Sequence, residues 1–128
     1  LTESQLRQMH ELKTGALLQA SVVMGAACAA PGAQALHALQ TYGAAMGLAF
    51  QVVDDILDVT ADSNTLGKTA GKDADNNKPT YVSLMGLQAS QDYAQQLLGQ
   101  ALAALDASAL PGTEALRALA NMVVNRAH

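Results

Sequence analysis

The chain has a single cysteine, no tryptophan, and fewer basic than acidic residues, seven against eleven. With one thiol it cannot form an internal disulfide, and Cys28, inside the small-residue run 25-GAACAA-30, reads as a buried free thiol. A net charge of −4 gives no general electrostatic case for nucleic acid. No apolar run reaches the ~20 residues that a bilayer span needs, because Gln, Gly, His or Asp interrupts each one. No signal-peptide pattern is present, and a cytoplasmic, reducing location is expected. His10, His37 and His128 are scattered and no Cys/His cluster has ligand spacing, so nothing points to zinc. His37 reads as a partly exposed or hydrogen-bonded residue rather than a ligand. The stretch 67-GKTAGK-72 lacks the spacing of a phosphate-binding P-loop and follows no strand, which sets an NTPase aside.

What is present is helical. Half the residues are hydrophobic, Ala and Leu dominate, and aromatics make up only 3% of the chain. That composition predicts an all-α protein whose helices approach closely through small side chains. The length of 128 residues allows one compact domain at most. A first helix is expected over 4–29, with Ser4 as N-cap and a bend or inserted polar site near Lys13-Thr14-Gly15. Ala30-Pro31-Gly32 stops it, and a long second helix should run over about 33–60. Gly43 and Gly47 lie four apart on one face of that helix. Each costs roughly 1 kcal/mol against Ala in a helix interior, which points to a close-packed neighbour. The segment 60-TADSNTLGKTAGKDADNNKP-79 is polar and without a sustained apolar period, as in a lid or binding loop. Further helices are expected over 80–87, 90–107 and 114–126, the last capped by Thr113.

The second helix holds the unusual feature. In 48-LAFQVVDDILDV-59, Gln51, Asp54, Asp55 and Asp58 fall within an arc of about 100° when placed on a helix. Val52, Val53, Ile56 and Leu57 fill the other directions. The plain reading is a solvated polar face. Such a face would ordinarily mix Lys, Arg and Glu among the acids, whereas this one has three aspartates and no cation. Asp54 and Asp58, four apart, repel each other unless something positive lies between them. The sharper reading is a divalent-metal site. Magnesium takes hard oxygen ligands, commonly one or two carboxylates completed by water and substrate phosphates. Lys68, Lys72 and Lys78 follow in the polar segment, and Lys13-Thr14 adds another cation and a hydroxyl. Magnesium and several lysines around one cleft are the electrostatics of a diphosphate.

These residues resemble the C-terminal half of the short-chain trans-prenyl diphosphate synthases, most closely the bacterial farnesyl diphosphate synthases. Lys13-Thr14-Gly15, 42-YGAAMGLAFQVVDDILDV-59, 66-LGKTAGKD-73 and 78-KPTYVSLMGL-87 carry the likeness across essentially the whole chain. DDILD resembles that family's second aspartate-rich motif, preceded by its Phe-Gln pair. The resemblance implies an isoprenoid-synthase-type helical bundle around a central cavity, with residues 1–128 forming one segment of its C-terminal part. It implies condensation of geranyl or dimethylallyl diphosphate with isopentenyl diphosphate to give farnesyl diphosphate and pyrophosphate. Magnesium is the implied metal, with manganese as a substitute, and a homodimer is the implied assembly. By position, Asp54 would ligate the metal, Asp58 would join it directly or through water, and Asp55 would order the water shell. Lys13 and Lys68 would bind the departing diphosphate. Thr14 and Gln51 would flank the reacting allylic end, and Lys72 would close over the site. No second DDxxD occurs in the 128 residues. The expectation is therefore a fragment that is inactive alone, with the first aspartate-rich motif in an N-terminal half. A geranylgeranyl diphosphate synthase, a non-catalytic prenyl synthase subunit and a terpene cyclase are the alternatives.

Overall fold

The computed structural model describes residues 2–10, 32–60 and 79–126. These form α1 (Glu3–His10), α2 (Ala33–Thr60), α3 (Tyr81–Met85), α4 (Leu87–Ser108) and α5 (Glu114–Val124), with no strand among the described residues. The expected all-α class is borne out. No helix among them is long and apolar enough to cross a membrane. Most of the expected first helix, with Lys13, Thr14 and Cys28, lies outside the described residues, as does the polar segment 61–78.

Helix α1 starts earlier than its expected Ser4 cap. Gln5 N donates to Thr2 Oγ1 at 3.1 Å, and Thr2 N donates to Gln5 Oε1 at 2.8 Å. This reciprocal Thr-x-x-Gln box satisfies two donors and leaves Ser4 inside the first turn. Leu6 then enters the core, fully buried.

The core forms chiefly between α2 and α4. On α2, Tyr42, Ala45, Met46, Ala49, Val52, Val53 and Ile56 are buried, and so are Gly43 and Gly47. On α4, Ala94, Leu97, Leu98, Ala101, Ala104 and Leu105 recur at helical spacing and are buried. The alanines let the two backbones approach while the leucines fill the remaining volume. Ala120 and Val124 of α5 join the same core cluster. Tyr42 ties α5 to α2, its hydroxyl donating to the Leu116 carbonyl at 2.8 Å. Burial pushes the Tyr42 phenol above its usual range, which keeps that donor protonated.

Three local details correct the expected boundaries. Helices 80–87 and 90–107 were expected with a gap between them, but α3 and α4 are separated by Gly86 alone. Gly86 has φ 89° and ψ 162°, a region that side chains essentially exclude. The chain therefore turns within one residue, and α4 starts at Leu87. Thr80 caps α3, its Oγ1 accepting from Ser83 N at 3.0 Å while Ser83 Oγ accepts from Thr80 N at 2.9 Å. Thr113 precedes α5 as expected but makes no side-chain cap. Its hydroxyl accepts instead from Arg117 Nε at 3.0 Å, and Arg117 Nη2 reaches Asp106 of α4 at 2.6 Å. With φ −90° and ψ 7°, Thr113 lacks the extended backbone that lets a capping side chain reach the first-turn amides.

A Cβ at Gly86 would meet no atom within 4 Å, so only the backbone conformation resists substitution. Gly86→Ala should destabilise the protein by about 1–3 kcal/mol in urea denaturation. An unchanged midpoint would show that the turn tolerates an L-residue.

Candidate metal and diphosphate site

The last turns of α2 carry the polar arc, and burial of the opposite side fixes its direction. Val52, Val53 and Ile56 are buried, Asp54 is exposed, and Gln51, Asp55 and Asp58 are partly buried. Taking Asp54 as the origin, Asp58 stands about 40° round the helix, Gln51 about 60° and Asp55 about 100°. Asp54 and Asp55, adjacent in sequence, therefore mark opposite edges of the arc.

Each edge is held by a different element. Asp54 Oδ1 accepts from Arg126 Nη2 at 2.7 Å, just beyond the end of α5. The same nitrogen donates to the Phe50 carbonyl at 3.3 Å, and the guanidinium lies 4.7 Å from the centre of the Phe50 ring. The side chains of the pair stay 28% and 46% exposed, so the pair itself is worth only about 0.2–1 kcal/mol. At the other edge, Asp55 Oδ2 accepts from Tyr81 N at 2.9 Å, at the start of α3.

Arg126 is the functional neighbour that the sequence did not announce. It lies 72 residues from Asp54. Its only local signal is being a lone cation after the uncharged run Asn121-Met122-Val123-Val124-Asn125. The lysines expected to face the acids, Lys13, Lys68 and Lys72, lie outside the described residues, as does Thr14. His37 is exposed on α2. A cavity of about 450 Å³ lies close by, lined by Val53, Ile56, Leu57, Gln95, Val124 and Arg126 among others. None of the four arc residues lines it, so it is not the site of the acids.

Among the described residues, no group of three or more His, Cys, Asp and Glu side chains converges as a metal cage. Asp54 and Asp58 instead offer two carboxylates one turn apart on a single face. Their chemistry fits a magnesium ion, which commonly uses one or two carboxylates and leaves the remaining positions to water and phosphate.

The chain belongs to the polyprenyl synthetase family, which it matches over residues 1–115. Farnesyl diphosphate synthases are prominent among its relatives. It is 57% identical over 104 residues to a probable farnesyl diphosphate synthase of Sinorhizobium fredii, covering 76% of this chain and 31% of that protein. It is 44% identical over 124 residues to the farnesyl diphosphate synthase of Escherichia coli, covering 94% of this chain and 42% of that one. A solved structure of a candidate farnesyl-diphosphate synthase from Marinomonas sp. MED121 matches with a TM-score of 0.78 at 35% identity, over 98% of this chain and 41% of that chain. The chain thus spans between 31% and 42% of the length of these relatives, and its helices follow the isoprenoid-synthase fold of the solved one.

Arg126→Ala removes one partly exposed ion pair, a long hydrogen bond to the Phe50 carbonyl and a partly buried cation–π contact. The expected loss is about 1 kcal/mol in urea denaturation. The loss should shrink at about 1 M salt, where charge pairing is screened. A loss that ignored salt would assign the contribution to packing on Phe50.

Proposed function

We propose that the whole protein is a prenyltransferase that joins geranyl or dimethylallyl diphosphate to isopentenyl diphosphate and yields farnesyl diphosphate and pyrophosphate. The observation that carries this reading is the face presented by Asp54 and Asp58, one turn apart, in a chain of the polyprenyl synthetase family. The names of the relatives support the farnesyl product.

In this reaction the allylic C–O bond breaks and its electron pair leaves with pyrophosphate. The allylic carbon then bonds to the terminal alkene carbon of isopentenyl diphosphate, and loss of a proton restores a double bond. Asp54 and Asp58 hold the metal, magnesium or manganese, through carboxylate oxygens. Bound there, it would neutralise negative charge growing on the leaving diphosphate. Lys13 and Lys68 donate to the same diphosphate, with Lys72 added as the site closes. Such contacts strengthen as charge develops, so they lower the barrier rather than only tightening binding. By the family likeness, Thr14 and Gln51 would flank the allylic end, where a hydroxyl and an amide oxygen would stabilise positive charge. Arg126 already neutralises Asp54 in part, so a metal held there would add to or replace that cation.

Full-length protein supplied with geranyl and isopentenyl diphosphates and magnesium should form farnesyl diphosphate and pyrophosphate. Asp54→Ala should lower turnover at least about a hundredfold while far-ultraviolet circular dichroism stays helical. Near-normal turnover in that variant would remove the metal assignment. A geranylgeranyl or a cyclised product from the unaltered protein would overturn the farnesyl reading.

A further inference from the structure

We propose that the two adjacent aspartates divide between them the binding of the metal and the placing of its ligands. Asp55 is a positioning residue that fixes α3 against α2 and so aims Asp54 and Asp58; it is not itself an oxygen ligand. The inference rests on the reading of Asp54 and Asp58 as metal ligands.

Three observations carry it. First, Asp55 Oδ2 already accepts from Tyr81 N at 2.9 Å, and a carboxylate at a helix start is favoured by the unpaired first-turn amides. Two later donors of the same helix have acceptors in Thr80. Ser83 N uses Thr80 Oγ1 at 3.0 Å and Leu84 N uses the Thr80 carbonyl at 3.1 Å. Asp55 thus supplies an oxygen that the local capping box does not. Second, the anchor point is rigid. Tyr81 is fully buried, its ring centre is 5.9 Å from that of Tyr93, and a single residue, Gly86, joins α3 to α4. A hydrogen bond to Tyr81 N therefore ties the polar end of α2 to the α4 side of the core. Third, Asp55 stands about 100° from Asp54 on α2, whereas Asp58 stands only about 40° away. An aspartate side chain is short. Turned toward α3, it leaves Asp54 and Asp58 as the pair that shares one direction.

The hydrogen bond also constrains rotation of α2 about its axis. Two opposed holds, Tyr81 N on Asp55 and Arg126 on Asp54, set the direction of the arc. Releasing Arg126 to admit a cation leaves the Asp55 hold in place. The ligand pair then keeps its aim when the metal enters.

The test uses the full-length protein and two readouts that do not depend on turnover. One is hydrogen exchange of the Tyr81 amide without metal. The other is Mn2+ affinity in the presence of pyrophosphate, read from the paramagnetic resonance of the free ion. Asp55→Asn keeps an acceptor oxygen and should leave both within about threefold of the unaltered protein. Asp55→Ala should speed Tyr81 exchange at least about tenfold. Asp54→Asn should weaken Mn2+ about tenfold or more and leave Tyr81 exchange unchanged. The proposal is overturned if Asp55→Asn weakens Mn2+ as much as Asp54→Asn does, because Asp55 would then belong to the metal's own shell. It is equally overturned if Asp55→Ala leaves Tyr81 exchange untouched. Failure of the product assay would sink the prenyltransferase reading without altering either readout.

Discussion

Over its last turns helix α2 buries Val52, Val53 and Ile56 on one side and carries Gln51, Asp54, Asp55 and Asp58 on the other, and the rest of the site depends on that division. A helix enclosed by α4, α5 and α3 can place charge only where no neighbour covers it. Val52, Val53 and Ile56 go to the core, and the remaining arc receives Gln51, Asp54, Asp55 and Asp58. Burial of the apolar side thus decides which side of the helix the carboxylates take, and they need no loop to present them. Residues on a packed helix keep a narrower range of positions than residues on loops, which suits ligands that must meet one ion.

Such an arc has an electrostatic cost that the helix alone cannot offset. Asp54 and Asp58 repel at one-turn spacing, and aspartate is a poor helix former. The described fold meets that cost from two sides with two kinds of donor. Arg126 brings a full charge to Asp54, at a partly exposed position where water screens most of its worth. Tyr81 brings a neutral backbone N–H to Asp55, where the acceptor also serves the start of α3. The first contact is weak and exchangeable. The second joins secondary structures and would be costly to break, because an amide at a helix start would lose its acceptor.

Much of this was legible in the residues because it is local. The limits of α2, Ala33–Thr60, follow from Pro31-Gly32 before it and from the loss of apolar period after it. The arc follows from the 100° step of a helix. The family likeness followed from ordered motifs, DDILD among them. What escaped was decided by competition between nearby groups or by distance along the chain. Thr2 won the first cap because Gln5 stands at the spacing that completes a reciprocal box, which Ser4 lacks. Thr113 makes no cap because its backbone is not extended. Gly86 ended α3 earlier than expected because a single glycine at positive φ can turn the chain without an intervening loop. Arg126 and Tyr81 could not be read at all, since 72 and 26 residues separate them from the aspartates they hold.

The pair Asp54-Asp55 shows why an acidic motif should be read by angle as well as by identity. Neighbours in sequence diverge by about 100° on a helix, so two adjacent acids rarely serve one ion equally. The residue that shares a direction with Asp54 is Asp58, four positions on. In a DDxxD pattern the first and last acids thus form the geometric pair, and the middle one faces a different neighbour. Here that neighbour is the backbone of α3, whose Tyr81 is locked in the core. The spacing that makes the motif recognisable therefore also sets its members in different directions: Asp54 and Asp58 lie about 40° apart, and Asp55, at the far edge of the arc, meets the backbone of α3.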